Sequence, residues 1–226
     1  MRYKVCGSEI RTENAAKPIE KPSRYLVEWL LAREPVDDAL DYGCGKLRYA
    51  SHLADRSSHL TLVDSEVQLT RQQRLGGQVT TVVDYVRQHW PAARVMTEAA
   101  FSKEDRRYDF ILCANVLSAI PLQEDRARVL KRLGEALRRR AGRLLVVTQW
   151  RNTYFATTSR SPKATPHLDG WLLRTSRGNS YYGILTKDKI IALLLEHGFA
   201  IESAWTKNES AYVLAVASLA AKRRSH

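Results

Sequence analysis

Leu40-Asp41-Tyr42-Gly43-Cys44-Gly45 is the first stretch of this chain whose residue types and spacing could do chemistry. A short apolar strand runs into a Gly-x-Gly turn, and a helix follows from Arg48. Glycine suits such a turn because a Cβ would block either the tight backbone or a ligand lying against it. Asp64 ends the next strand, Leu60-Thr61-Leu62-Val63, and lies 19 residues beyond Gly45. In a Rossmann-type sheet a carboxylate there accepts hydrogen bonds from both hydroxyls of a ribose; a helix N-cap is its other common use. Beside the glycine turn, ribose binding is the stronger reading. A dinucleotide fingerprint would need Gly-x-Gly-x-x-Gly, its third glycine packing helix on strand beneath a pyrophosphate. Arg48 holds that sixth position, and its charge opposes such packing. No Walker loop occurs. Asp41, a carboxylate at the strand end, suits a cationic headgroup better than a pyrophosphate.

The elements that must position these residues alternate between strand and helix. Strands are expected at Ala39–Tyr42, Leu60–Val63, Ala93–Met96, Tyr108–Asn115 and Arg143–Gln149, then an antiparallel pair at Phe199–Trp205 and Ala211–Ser218. The near-continuous apolar run of Tyr108–Asn115 suits burial on both sheet faces. Helices are expected at Ser23–Arg33, Arg48–Arg56, Glu66–Leu75, Val79–Trp90, Glu124–Arg140 and Lys187–His197. Gly76-Gly77 reads as a helix stop, and Gly198 as a C-terminal cap. This alternation predicts an α/β fold, a doubly wound, mostly parallel seven-stranded sheet with an antiparallel terminal strand. The whole chain, 1–226, reads as one domain: residues 1–34 as an arm and helix, 150–186 as an insertion covering an acceptor, 219–226 as a basic tail.

In these motifs the chain resembles the class I S-adenosylmethionine-dependent methyltransferases, over roughly residues 39–150 and more loosely to 218. Asp41 to Gly45 is similar to that family's first motif, with Leu47 where a third glycine is usual. Asp64 matches its ribose-binding acid, and Thr97-Glu98-Ala99 resembles the segment whose acid meets the adenine amine. Tyr108-Asp109-Phe110-Ile111 through Asn115-Val116-Leu117-Ser118 looks like its fourth motif. The resemblance implies S-adenosylmethionine as cofactor, S-adenosylhomocysteine as product, and a cofactor site drawn from Asp41, Gly43, Cys44, Gly45, Asp64, Ser65, Glu98, Ala99, Asn115 and Val116. It also implies little catalytic machinery, because the sulfonium is already activated and the protein must mainly align a nucleophile and exclude water. A cofactor-binding or nucleic-acid-binding regulator of the same fold without turnover is the alternative.

The acceptor is expected beyond the strand C-termini. Residues 150–183 interleave aromatic and basic side chains, a pattern that can stack on bases and contact phosphates or wall a small aromatic or anionic molecule. Candidate acceptor contacts are Ser118, Trp150, Arg151, Tyr154, Trp171, Arg174, Arg177, Tyr181 and Tyr182, and His167 is a weak candidate for a general base. Asn115-Val116-Leu117-Ser118 is not an Asn/Asp-Pro-Pro-Tyr/Phe loop, no Pro-Cys nucleophile occurs, and Cys113 reads as core. Small molecule and nucleic acid both stay open as partners.

Net charge is +12 and lopsided: residues 1–100 carry 14 basic and 13 acidic side chains, residues 101–226 carry 22 and 11. Such a field attracts anions without specifying chemistry. Three scattered cysteines make neither a disulfide framework nor a zinc pattern, so no metal is expected. With no signal-like apolar segment and no run long enough to span a bilayer, a cytoplasmic setting without membrane contact is expected.

Overall fold

A computed structural model of the chain describes residues 2–150, 157, 159–176 and 178–218. Its centre is a seven-stranded sheet. The parallel strands are β3 (Val36–Tyr42), β4 (Ser57–Asp64), β7 (Arg94–Thr97), β8 (Phe110–Ala114) and β9 (Arg143–Gln149), joined by the closing pair β13 (Phe199–Lys207) and β14 (Ser210–Ala217). The order is β13-β14-β9-β8-β3-β4-β7, with β14 inserted antiparallel between β9 and β13. This is the doubly wound architecture expected from the pattern, with the last strand placed inside the sheet. β8 is buried because both of its faces are covered: Phe110 and Leu112 join one apolar cluster, Ile111 and Cys113 the other.

Helices α1 (Arg24–Leu31), α2 (Ala50–Ala54), α3 (Glu66–Thr70), α4 (Val82–His89), α5 (Glu98–Phe101), α6 (Gln123–Ala136) and α7 (Lys187–Glu196) cover the sheet. Ser23 caps α1 by accepting from the Leu26 amide, and Leu26 and Leu30 face inward. Each buried leucine of this kind contributes about 1.5–3 kcal/mol. Helix α6 stops at Ala136 and not at Arg140, because Leu137 leaves helical geometry and bridges to Tyr108. The Arg138 amide then bonds the Tyr108 carbonyl instead of continuing the helix.

Two expectations fail over residues 66–80. The helix from Glu66 ends at Thr70, and β5 (Gln73–Leu75) pairs with β6 (Gln78–Thr80) as a small hairpin. Gly76 and Gly77 both have positive φ, 53° and 87°, so they form a primed two-residue hairpin turn and not a helix stop. Helix α4 begins only after Thr81, which caps it.

The larger difference is a second sheet. Residues 2–11 are no arm: β1 (Arg2–Val5) and β2 (Ser8–Arg11) form a hairpin around Cys6-Gly7, both with positive φ. The expected insertion contains β10 (Ala164–His167), β11 (Gly170–Thr175) and β12 (Gly178–Gly183). These join as β1-β2-β12-β11-β10, the N-terminal hairpin meeting residues 164–183 through a parallel contact of Ile10 with Asn179. Tyr3, Val5, Ile10 and Tyr181 sit in the same buried cluster as Ile111, Leu144 and Val146, so the small sheet shares the main core.

Candidate functional site

The C-terminal ends of β3, β4 and β8 open into a cavity of ≈ 830 Å³ counting its open mouth. The chain builds it by turning sharply at Gly43, where φ is +77° and an added Cβ would lie 2.4 Å from Val116 Cγ2. The amides of Gly43 and Cys44 both donate to the Val63 carbonyl, at 2.8 and 3.0 Å, so the turn is held against β4. Leu47 stands where the related motif carries a third glycine. It keeps the left-handed backbone, φ 61°, while its side chain is fully buried. Burial holds a conformation that costs an L-residue roughly 1–2 kcal/mol.

Asp64 is held from both sides. Its Oδ2 accepts from the Gly45 amide at 2.8 Å, and its Oδ1 accepts from the Ser65 amide at 2.7 Å. Gln68 Nε2 donates to the Gly45 carbonyl at 2.6 Å, tying α3 to the glycine turn. Burial raises the Asp64 pKa, and the two backbone amides oppose that rise. Asp41 is 3% exposed, lines the cavity and has no hydrogen bond to its carboxyl among the described residues. Burial, and then the nearby charge of Asp64, push its pKa up to about 7. Glu98, at the start of α5, accepts from the Tyr42 hydroxyl at 3.1 Å and is pushed to about 7, mainly by burial. These carboxylates lie in one low-dielectric space, which a cationic ligand would neutralise.

Asp41, Gly43, Cys44, Gly45, Asp64, Glu98, Asn115 and Val116 all line this cavity. Ser65 and Ala99 stand outside its wall. Ser65 caps α3 and orients Asp64, while Ala99 is exposed on α5. Burial pushes the Cys44 thiol well above its ordinary pKa, and that of Cys113 to about 12, so neither is a ready nucleophile.

A second, smaller pocket adjoins the first and shares Ala15, Lys17, Asn115 and Ala119 with it. Ser118, Gln149, Tyr181 and Tyr182 complete its lining. Asn115 has φ 61° at the end of β8, and its Oδ1 accepts from the Gln149 amide at 2.8 Å, joining two strand ends beneath this pocket. Tyr181 is held from behind. Its hydroxyl donates to Asp169 and accepts from Arg126 Nη2 at 3.2 Å. Arg126, 3% exposed, meets Asp169 with two hydrogen bonds of 2.6 and 2.9 Å and donates to the Ile120 carbonyl at 3.0 Å. Burial alone would raise the Asp169 pKa, but the bonds from Arg126 and Tyr181 prevail and hold it low.

Among the described residues, the other acceptor candidates are not brought into either pocket. His167 is half-buried, Nε2 donates to the Pro121 carbonyl at 2.8 Å, and the ring meets Tyr181 edge-on. With that nitrogen committed to backbone, His167 supports the pocket from outside. Trp150 packs on the core, Trp171 sits on β11 beside Tyr182 of β12, and Arg174 is exposed. Arg151, Tyr154 and Arg177 lie outside the described residues. Sequence reasoning missed Glu13, Lys17, Gln149 and the Arg126–Asp169 pair. Gln149 was readable as a strand end; the others carry no local pattern.

Residues 11–204 match the family model of a methyltransferase domain. YmfD, an uncharacterized protein of Escherichia coli (strain K12), is 37% identical over 213 residues, spanning 94% of this chain and 95% of that one. An S-adenosylmethionine-dependent methyltransferase from Clostridium acetobutylicum superposes with a TM-score of 0.63 at 14% identity, covering 91% of this chain and 94% of the other. A 1,6-didemethyltoxoflavin-N1-methyltransferase from Burkholderia thailandensis, with bound 1,6-didemethyltoxoflavin and S-adenosylhomocysteine, gives 0.57 at 15% identity, covering 86% and 76%. At such identities these structures share the fold.

Proposed function

Because the chain belongs to the methyltransferase-domain family, we propose that it transfers the methyl group of S-adenosylmethionine to a small anionic or aromatic acceptor and releases S-adenosylhomocysteine. The observation that carries this is the buried, unpartnered carboxyl of Asp41 beside the glycine turn and the fixed carboxylate of Asp64. The residues present suit the cofactor by their chemistry: three carboxyl-bearing side chains, Asp41, Asp64 and Glu98, line the cavity, and a Cβ at Gly43 would collide with its wall. S-adenosylhomocysteine occupies the Burkholderia enzyme of the same fold, which supports the same class of ligand here.

When bound, S-adenosylmethionine supplies a methyl group already activated on a sulfonium. The chain's residues bind and orient. Asp64 would accept from the ribose, Glu98 would face the base, and Asp41 would attract the cationic end. The second pocket receives the acceptor against Tyr182, Gln149 and Lys17, next to the cofactor cavity. Its small size and the four lining residues it shares with the first cavity support a small molecule over a polymer. Ser65 and Ala99 act through Asp64 and α5, not by contact.

Methyl-tritiated S-adenosylmethionine incubated with the protein and fractionated lysate tests this reading. Label is expected in a low-molecular-mass fraction retained by anion exchange or by an aromatic resin. Label in nucleic acid would replace the small acceptor with a polymer. Ligand binding without label in any fraction would mark a binding protein without turnover.

A further inference from the structure

Glu13 lies in the short 3-10 turn Thr12–Ala15 that follows β2, in a segment without any motif. Its side chain is 4% exposed, yet the residue lines the cofactor cavity. Oε1 accepts from Arg2 Nε at 3.2 Å. Oε2 is buried and has no hydrogen-bond partner among the described residues. The backbone carbonyl of Glu13 accepts from Arg71 Nη2 at 2.8 Å. Arg71 caps the C-terminus of α3, the helix that Ser65 starts directly after Asp64. Glu13 is therefore fastened to the Asp64 side of the cavity by the same short helix that orients Asp64. A buried carboxylate oxygen without a hydrogen-bond donor gains from a donor that a ligand brings.

We propose that Glu13 contacts the cofactor directly, its Oε2 accepting a hydrogen bond from one ribose hydroxyl while Asp64 accepts from the other. This rests on the cofactor reading above and extends it to the N-terminal hairpin. Position selects the donor. Asp41 stands at the end of β3 by the glycine turn and serves the cationic end; Glu98 stands after β7 and serves the base. Glu13 is tied to the helix between β4 and β7, where the sugar is expected. The β1–β2 hairpin is thus part of the binding site: Tyr3, from β1, and Thr12, immediately after β2, line the same cavity. Binding of the cofactor and docking of the hairpin are coupled, because the ligand supplies the donor that the folded hairpin leaves wanting.

The test is calorimetric titration of the full chain with S-adenosylhomocysteine and with its 2′-deoxy and 3′-deoxy analogues. Glu13→Ala is expected to weaken S-adenosylhomocysteine on the order of tenfold, as for a hydrogen bond to a charged group, and to add no further loss for one of the two deoxy analogues. Glu13→Gln keeps the side-chain shape; if the alanine variant does not fold, it carries the same comparison with a several-fold loss. Arg2→Ala, which removes the ion pair but keeps the carboxylate, is expected to preserve the hydroxyl selectivity. Equal losses for all three ligands would overturn the contact and leave Glu13 a strut for the hairpin. Unchanged binding of all three by the Glu13 variants would also overturn it. A wild-type protein that binds none of them would remove the cofactor reading itself, and the contact with it.

Discussion

The two sheets of this molecule meet at one site but are assembled by different means. In the seven-stranded sheet, Asp41, Asp64, Glu98 and Asn115 each stand at or just beyond the end of a parallel strand, and consecutive strand–helix units deliver them to one edge. The five-stranded sheet joins residues 2–11 to residues 164–183 through a parallel contact of Ile10 with Asn179. Behind that seam the Arg126–Asp169–Tyr181 network fastens the small sheet to α6. The proposed cofactor side is therefore carried by a locally encoded frame. The proposed acceptor side depends on long-range closure and on a buried ion pair, which is costly to break and contributes little when intact.

The sharpest way to break this contrast is at Asp64. Removing its carboxylate should abolish a charge-assisted contact to the cofactor and the bond that anchors the Gly45 amide, together about 3–6 kcal/mol, or at least a hundredfold in affinity. Calorimetry on Asp64→Ala checks this, and a loss under tenfold would shift the weight of binding elsewhere. Next comes the seam. Asp169→Ala leaves the Arg126 guanidinium buried without its counter-charge and should cost about 3–5 kcal/mol of stability. Urea unfolding measures it, with S-adenosylhomocysteine affinity changing less than stability does. Equal losses of both would mean that the two sides fold as one inseparable unit.

A smaller effect should appear in pH dependence. The Asp41 pKa is raised from its ordinary value to about 7, so between pH 4 and 7 the folded protein binds more protons than the unfolded chain. Stability of the ligand-free protein should fall as pH rises through that window and stay lower above it. Cation binding has the opposite sign: affinity for S-adenosylmethionine should rise by up to about tenfold per pH unit until pH 7. Asp41→Asn should reduce that slope, with Glu98 supplying what remains; a slope unchanged by the substitution would clear Asp41 of any role. The smallest effect is expected at Arg174, exposed on β11. Arg174→Glu should change turnover by less than about twofold, since screened surface charge contributes little. A large loss would restore the basic face of the small sheet as an acceptor surface.

How much of this was legible depends on the range of the interactions involved. Strand–turn–helix units such as Leu40 to Leu53 and Leu60 to Leu69 announce themselves, because hydrophobic period, glycine and cap residues act over a few neighbours. The core position of Cys113 followed from the same pattern. The hairpin at Gly76-Gly77 was misread because a glycine pair ends a helix and turns a hairpin equally well; the pairing of Gln73 with Thr80 decides between them. The strands of residues 2–11 have four residues each, too few for a two-residue period to emerge. His167 drew notice by residue type alone, while its bond to the Pro121 carbonyl comes from a fold contact 46 residues away.

By itself the sequence determined the parallel frame, the glycine turn and the acids at the strand ends, because backbone sterics and hydrophobic periodicity are local properties. Only the tertiary structure decided that the chain's first strands close over the cavity, that Glu13 reaches it, and that Arg126 meets Asp169. Those choices follow from burial and charge pairing between segments distant along the chain, where spacing carries no information about proximity.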